Sequence, residues 1–131
     1  MIKKIVLSVA AVFVAWFLLD IVIHSVILGP MYQATPNLWR PMEEMQMGLM
    51  NIVRLVSAFV FVFIYARFFA VKGVKTGLLY GLLFGIGTGA SMGYGSFSVM
   101  PLPCLMAHAW FLGSLVEATV AGLLVGLIIK S

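Results

Sequence analysis

The stretch GVKTGLLYGLLFGIGTGASMG, residues 73–93, puts a glycine at every fourth position: Gly73, Gly77, Gly81, Gly85, Gly89 and Gly93. In water such a helix is a poor one, because an interior glycine costs about 1 kcal/mol relative to alanine. In lipid the balance changes. Acyl chains are as apolar as leucine, so helices associate there where small residues let two backbones approach. Four residues is slightly over one turn, and the six glycines line one gently drifting stripe. A matching stripe follows downstream at Ser114, Ala118, Gly122 and Gly126. The two stripes predict close packing of a third helix against a fourth. The same ladder is also compatible with a channel lining or a homo-oligomer seam.

Composition supports the lipid reading. Of 131 residues, 63% are hydrophobic and 9% charged, whereas about a quarter are charged in soluble domains. The class is integral membrane, and the length allows a single domain, 1–131. A net charge of +4 raises the question of nucleic acid, but the basic residues lie where membrane topology needs them, and no nucleic-acid partner is expected. Cys104 is the only cysteine, which excludes an intrachain disulfide and a thiolate cluster for zinc. The N-terminal MIKKIVLSVAAVFVAWF begins like a secretory signal. Its apolar run continues to about Leu28 without a small-residue cleavage site, so it reads as a retained first span.

Four segments reach the roughly 20 apolar residues that a bilayer requires: about 5–28, closed by Gly29 and Pro30; about 48–70; about 76–98, closed by Pro101 and Pro103; and about 104–129. Pro41 reads as a first helical residue leading into the second, with Glu43 and Glu44 at the positive end of the helix dipole. The expected fold class is all-α, a four-transmembrane-helix up-down bundle. Lys3, Lys4, Arg67, Lys72, Lys75 and Lys130 fall on one side, and only Arg40 and Arg54 toward the other. By the positive-inside rule both termini are cytoplasmic. Trp39, Trp110 and Tyr32 then form an outer aromatic belt, and Tyr65 and Tyr80 sit near the inner one.

Three ionisable residues lie inside the spans: Asp20, Arg54 and Glu117. A charge at the bilayer centre costs about 2.5–3.5 kcal/mol on insertion scales, so such groups seek partners. Counting about 1.5 Å per residue from the basic anchors, Arg54 and Glu117 lie roughly 20 Å up and Asp20 roughly 24 Å up. They form one layer in the outer half, with Thr88 and Ser91 at similar depth and Glu43 and Glu44 above. Two acids against one Arg leave one excess negative charge. The layer is either a structural ion-pair network or a site for a proton or cation.

His24 lies one turn beyond Asp20 on the same face, and His108 reaches a similar height on the fourth span. A pair of histidines at matched depth can hold a haem or a metal ion, with Asp20 orienting His24. His108 and Glu117, however, are nine residues apart and point to opposite sides of their helix. The eight methionines after Met1 all lie toward the outer end. Thioether and imidazole suit copper(I), which makes Met45 and Met106 candidate ligands beside His24 and His108. Against this, Met42, Met45, Met47 and Met50 share no helical face, and methionine is a common adaptable filler.

No GxSxG, HExxH, CxxC or phosphate-binding glycine loop followed by Lys-Ser or Lys-Thr is present, and no soluble-type active site is expected. The segments LLDIVIH, YQATPNLWRPMEEM, GASMGYGSFSVMP and AWFLGSLVEA resemble a group of small four-helix bacterial inner-membrane proteins without an assigned role. The resemblance implies one fold over the whole chain and an inner-membrane location. It implies no substrate or cofactor. It also groups the LWRPMEEM loop with the buried acids as one outer site. The function expected is a non-enzymatic accessory subunit or small-solute or cation-binding module, partnered by the bilayer and by other membrane subunits or further copies. The alternatives are a haem or copper carrier and an oligomeric proton-coupled transporter.

Overall fold

A computed structural model of the chain describes residues 1–130, and all its regular structure there is helical. Helix α1 (Ile2–Asp20) runs without a break into a π-helical segment, Ile21–Ile27. A short α2 (Gly29–Ala34) and two single 3-10 turns, Pro36–Leu38 and Met42–Glu44, cover one end. Helix α3 (Met47–Phe68) returns. Helix α4 (Val74–Gly89) continues as a second π segment, Ala90–Gly95, and a last turn, α5 (Ser96–Val99). Helix α6 (Cys104–Ile128) closes the chain.

Three of these helices, Ile2–Ile27, Met47–Phe68 and Cys104–Ile128, are long and apolar enough to cross a membrane. Their outward faces carry exposed Leu7, Val14, Leu18, Ile52, Val56, Phe59, Phe63, Leu112 and Val116. That is far more apolar surface than a soluble monomer presents to water. The expected 76–98 span lies on α4 and its π continuation, where glycine replaces much of the side-chain hydrocarbon.

Helices α4 and α6 run antiparallel with their backbones in contact. A Cβ built on Gly77 would overlap the carbonyl oxygen of Gly122, and one on Gly81 would overlap that of Ala118. One on Gly126 would come 2.6 Å from the Gly73 carbonyl oxygen, and one on Gly93 2.5 Å from that of Ala107. The partners step in opposite directions four at a time, from Gly73 with Gly126 to Gly85 with Ser114. At this spacing Cα–H groups can point at carbonyls across the interface, a weak attraction repeated along its length. Helix α1 packs on α6 and on α3, and aromatic side chains link α3 back to α4.

That aromatic link corrects the belt reading of Tyr65 and Tyr80. Both are buried, Tyr65 completely. The Tyr65 hydroxyl accepts from the Gly73 N–H at 2.7 Å and lies 3.3 Å from the Ile129 carbonyl, to which it can donate. It thereby serves the start of α4 and the end of α6, where backbone groups have no partner within their helix. Tyr80 donates to the Phe61 carbonyl at 2.8 Å and stacks on the Phe61 ring at 4.5 Å. A phenol that meets its hydrogen-bonding needs with backbone groups has no reason to reach the interface.

Two loop expectations are also corrected. Pro41 does not open α3: it is extended (φ −56°, ψ 153°), and the turn after it ends at an extended Met45. That turn closes its own hydrogen bonds, Glu44 N–H to Pro41 at 2.9 Å and Met45 N–H to Met42 at 3.3 Å. Glu43 and Glu44 therefore sit on a separate turn and not in the first turn of α3. Gly29 and Pro30 begin α2 as much as they end the first span, since proline suits a first helical turn.

The backbone contact predicts a position-dependent glycine effect. Gly81→Ala pushes a methyl into the Ala118 carbonyl and should lower stability by about 1–3 kcal/mol, as overpacking does. Gly87→Ala meets nothing within 4 Å and should be neutral or slightly stabilising. Thermal unfolding of the two detergent-solubilised variants checks this, and equal melting temperatures would refute it.

Candidate functional site

Three helices bring Asp20, Arg54 and Glu117 together. The last residue of α1 supplies Asp20, the second turn of α3 supplies Arg54, and the middle of α6 supplies Glu117. Arg54 Nη2 lies 2.9 Å and Nε 3.0 Å from the same oxygen, Oδ2 of Asp20. Arg54 Nη1 donates to Asn51 Oδ1, one turn earlier, at 2.6 Å. The guanidinium also lies over the rings of Phe17 and Phe13, at 5.1 and 5.9 Å, where the ring faces attract a cation. The Glu117 carboxyl is within hydrogen-bonding reach of Asp20. Its backbone carbonyl accepts the Trp16 indole N–H at 2.8 Å, which fixes α6 against α1 at this level.

Arg54 is nearly enclosed, with its side chain 9% exposed, while Asp20 is 26% and His24 38% exposed. The cluster is therefore closed on the Arg54 side and opens along the π segment. Asp20 Oδ1 faces His24 Nε2 at 3.8 Å. His24 Nδ1 meets the Tyr32 hydroxyl at 2.7 Å, and that hydroxyl accepts the Trp110 indole N–H at 2.8 Å. The assignment that uses every group has Tyr32 donating its one proton to Nδ1, leaving Nε2–H toward Asp20. Burial raises the Tyr32 phenol above its ordinary value, so it keeps that proton at neutral pH. Glu117, Asp20, His24 and Tyr32 thus stand in one row of proton-bearing groups, hydrogen-bonded from His24 to Tyr32 and 3.8 Å apart between Asp20 and His24.

Tyr32, Trp39 and Trp110 form a mutual cluster rather than a lipid-facing ring. Tyr32 and Trp39 meet edge-on at 5.1 Å, Trp39 and Trp110 at 5.9 Å, and Trp39 donates to Thr35 at 3.0 Å. They roof the polar line.

The remaining candidates go elsewhere. Glu43 and Glu44 are exposed on their turn, and neither joins the ion pairs of the cluster. Thr88 bonds back to the Phe84 carbonyl of its own helix. The two histidines have separate partners. His108 Nδ1 meets the Tyr94 hydroxyl at 2.7 Å and Nε2 the Cys104 sulfur at 3.4 Å. Trp110, two residues and about 200° further round α6, is the one that faces His24 through Tyr32. Among the described residues no three of His, Cys, Asp and Glu gather as a metal site. Met106 is fully enclosed by Ile23, Leu28, Leu102 and Trp110, and Met45 is exposed at the end of its turn. A haem or copper pair from His24 and His108 does not match this geometry.

Two members of the site, and the partner of His108, were missed in the sequence. Asn51 was signalled only by its three-residue spacing from Arg54. Tyr32 read as a belt residue. Tyr94 could have been found by extending the α4–α6 register, since Gly93 opposite Ala107 puts Tyr94 beside His108. Comparison of the chain with protein-family models, curated proteins and solved structures finds no match.

Removing one partner of an enclosed ion pair leaves the other uncompensated, at about 3–5 kcal/mol. Arg54→Ala should therefore lower the melting temperature sharply. Adding Asp20→Asn should recover part of the loss, with a coupling of about 0.5–3 kcal/mol in a double-mutant cycle. Strictly additive losses in that cycle would show the pair to be energetically idle.

Proposed function

We propose that this chain is a four-span protein of the bacterial inner membrane, with both termini cytoplasmic. In this reading it is a non-enzymatic module that takes up a proton or small cation at Asp20, Arg54 and Glu117 from the outer face. The observation that carries the reading is that Asp20 takes the one guanidinium of Arg54 while a second carboxyl, that of Glu117, lies against Asp20 with no cation of its own. Both acids ionised leave one uncompensated negative charge in an apolar surrounding, which is costly. One proton or one small cation removes it.

Several features support the details. Helix α4 lies antiparallel to α6 over the whole stripe, so a membrane crossed by α6 is crossed by α4 as well. The contact is a glycine zipper within one chain. The basic residues at the ends of the helices favour cytoplasmic termini. The row from Glu117 through Asp20 and His24 to Tyr32 leads toward the end roofed by Trp39 and Trp110. A single bundle of four short helices encloses no pathway through itself. The module therefore acts on other membrane subunits, or on further copies of itself, rather than transporting alone.

A hydrophobic carbodiimide tests this directly, because it modifies protonated carboxyls in apolar surroundings. Treatment of the detergent-solubilised protein should modify Glu117 or Asp20. The yield should fall as pH is raised and the shared proton is lost. Glu117→Gln removes one of the two acids and should abolish the modification, since Asp20 is then a simple partner of Arg54. Peptide mass spectrometry reads the outcome. Unmodified acids at every pH would retire the proton reading, and modification still absent after the protein is stripped of cations would leave a fully ionised structural network and retire the proposal.

A further inference from the structure

A second polar group lies at the other side of α6, apart from the acid cluster. It consists of Cys104, His108 and Tyr94. Cys104 is the first residue of α6 and is exposed. His108 follows one turn later on the same face, and Cys104 Sγ lies 3.4 Å from His108 Nε2. On the far side of the ring, His108 Nδ1 meets the Tyr94 hydroxyl at 2.7 Å, and the two rings pack edge-on at 5.5 Å. Tyr94 belongs to the π segment Ala90–Gly95 and is held there by the neighbouring Gly93, whose backbone lies against Ala107. The histidine ring is thus positioned from the far helix and its free nitrogen is aimed at the thiol.

We propose that Cys104 and His108 form a binding site for a Zn2+-like transition-metal ion, with Tyr94 as the residue that orients the imidazole. Three observations carry this. The donor set is a thiol and an imidazole, the two side chains that zinc takes most often. The separation is also right. Zinc–sulfur and zinc–nitrogen bonds of about 2.3 and 2.0–2.1 Å at a tetrahedral angle put the two donors about 3.5 Å apart, whereas a linear arrangement of the kind copper(I) accepts puts them well beyond 4 Å. A tetrahedral ion would thus fit with the two donors where they stand, whereas digonal copper(I) would require them to move apart. Finally, the remote ring nitrogen has a hydrogen-bond partner, as metal-bound histidines nearly always do. With Nδ1–H donating to the Tyr94 oxygen, the lone pair is on Nε2, facing Cys104.

Binding replaces the thiol proton by the metal and releases that proton to solvent; no electron is transferred. Among the described residues no third His, Cys, Asp or Glu joins the pair. Two of four positions are left to water or to an incoming ligand, which makes this an exchangeable, outward-facing acceptor and not a structural zinc site.

The test uses the full-length protein in detergent under a thiol-free reductant, with Co2+ as a spectroscopic probe and Zn2+ as competitor. One equivalent of Co2+ per chain should give a thiolate-to-metal charge-transfer band, and Zn2+ should displace it. Cys104→Ser should abolish the band. His108→Ala should weaken binding at least tenfold. Tyr94→Phe should weaken it about 10–100-fold at unchanged stoichiometry, as loss of an orienting partner does. In the unaltered protein, Zn2+ should also slow maleimide alkylation of Cys104, the only thiol in the chain, at least tenfold. That measurement needs no variant to fold. Absence of the charge-transfer band, metal binding that survives Cys104→Ser, or alkylation indifferent to Zn2+ would overturn the proposal. In that event the Cys104–His108 contact is a simple thiol–imidazole hydrogen bond.

Discussion

The closeness of α4 to α6 is the constraint on which the rest of the molecule depends. Two backbones touching over five turns cannot slide, because each glycine accommodates one particular carbonyl of the other helix. That register sets what stands opposite what. At one end it brings the start of α4 and the end of α6 to the hydroxyl of Tyr65. At the other it stands Tyr94 beside His108. It also decides which side of α6 remains for α1. With the glycine stripe of α6 turned to α4, the face carrying Glu117 is left to meet Trp16 and Asp20. Helix α3 then reaches the assembly through Arg54 at one level and through its aromatic residues at another.

The polar residues are distributed unevenly about this contact, and the unevenness has an energetic reason. The half near Tyr65 is closed by Phe61, Tyr80, Phe84 and Phe69, packed face-on, edge-on and tilted against one another, with Val12, Val62 and Val125 filling between. There the Tyr65 hydroxyl serves backbone groups at the start of α4 and the end of α6, Tyr80 donates to the Phe61 carbonyl within α3, and the buried Ser8 hydroxyl has no partner among the described residues. The other half contains Arg54 with the two acids, Asp20 and Glu117. A guanidinium can sit there because it is forked and weakly hydrated, so it can serve Asp20 with two nitrogens, Asn51 with a third and the rings of Phe13 and Phe17 with its faces. A lysine at this position would have no planar fork to divide in this way. The cluster is thus an arrangement in which one cation has every direction used and the second acid has none of the cation to itself.

How much of this was legible in the sequence follows from the physics of each signal. The helix positions were legible because the apolar runs are long, and three of the four expected spans are long and apolar enough to cross a membrane. The opposition of the two small-residue stripes was legible because small side chains carry a strict period. The grouping of Asp20, Arg54 and Glu117 followed from depth alone, since three ionisable groups at one level in a narrow bundle have few other partners. The aromatic residues were misread because hydropathy does not say whether a tyrosine turns inward. Tyr65 turns inward because helix ends there expose backbone groups. Pro41 was misread because a turn that closes its own hydrogen bonds leaves nothing for a helix to gain by extending.

The matching of His24 with His108 failed for a more instructive reason. Height and phase were counted at a uniform rise and rotation, which holds for His108 on the unbroken α6 but not for His24 and not for Tyr94, the residue His108 meets. Both histidine groups border π-helical segments: His24 lies within Ile21–Ile27, and Tyr94 within Ala90–Gly95. A π turn bonds each N–H one residue further back than an α turn, which rotates all later side chains relative to the expected wheel. Such insertions are rare, and they recur at functional positions. Here they fall at the two places where a helix must present a polar side chain sideways, toward a neighbour, while its flanking residues stay apolar and outward. Asp20 is the last residue before one of them, and Gly93, in van der Waals contact with α6, lies within the other. The segment that re-aims the polar groups is in each case joined directly to the residue that fixes the helix against its partner. This half of the bundle can therefore present two separate polar groups without loosening the contact on which the half near Tyr65 depends.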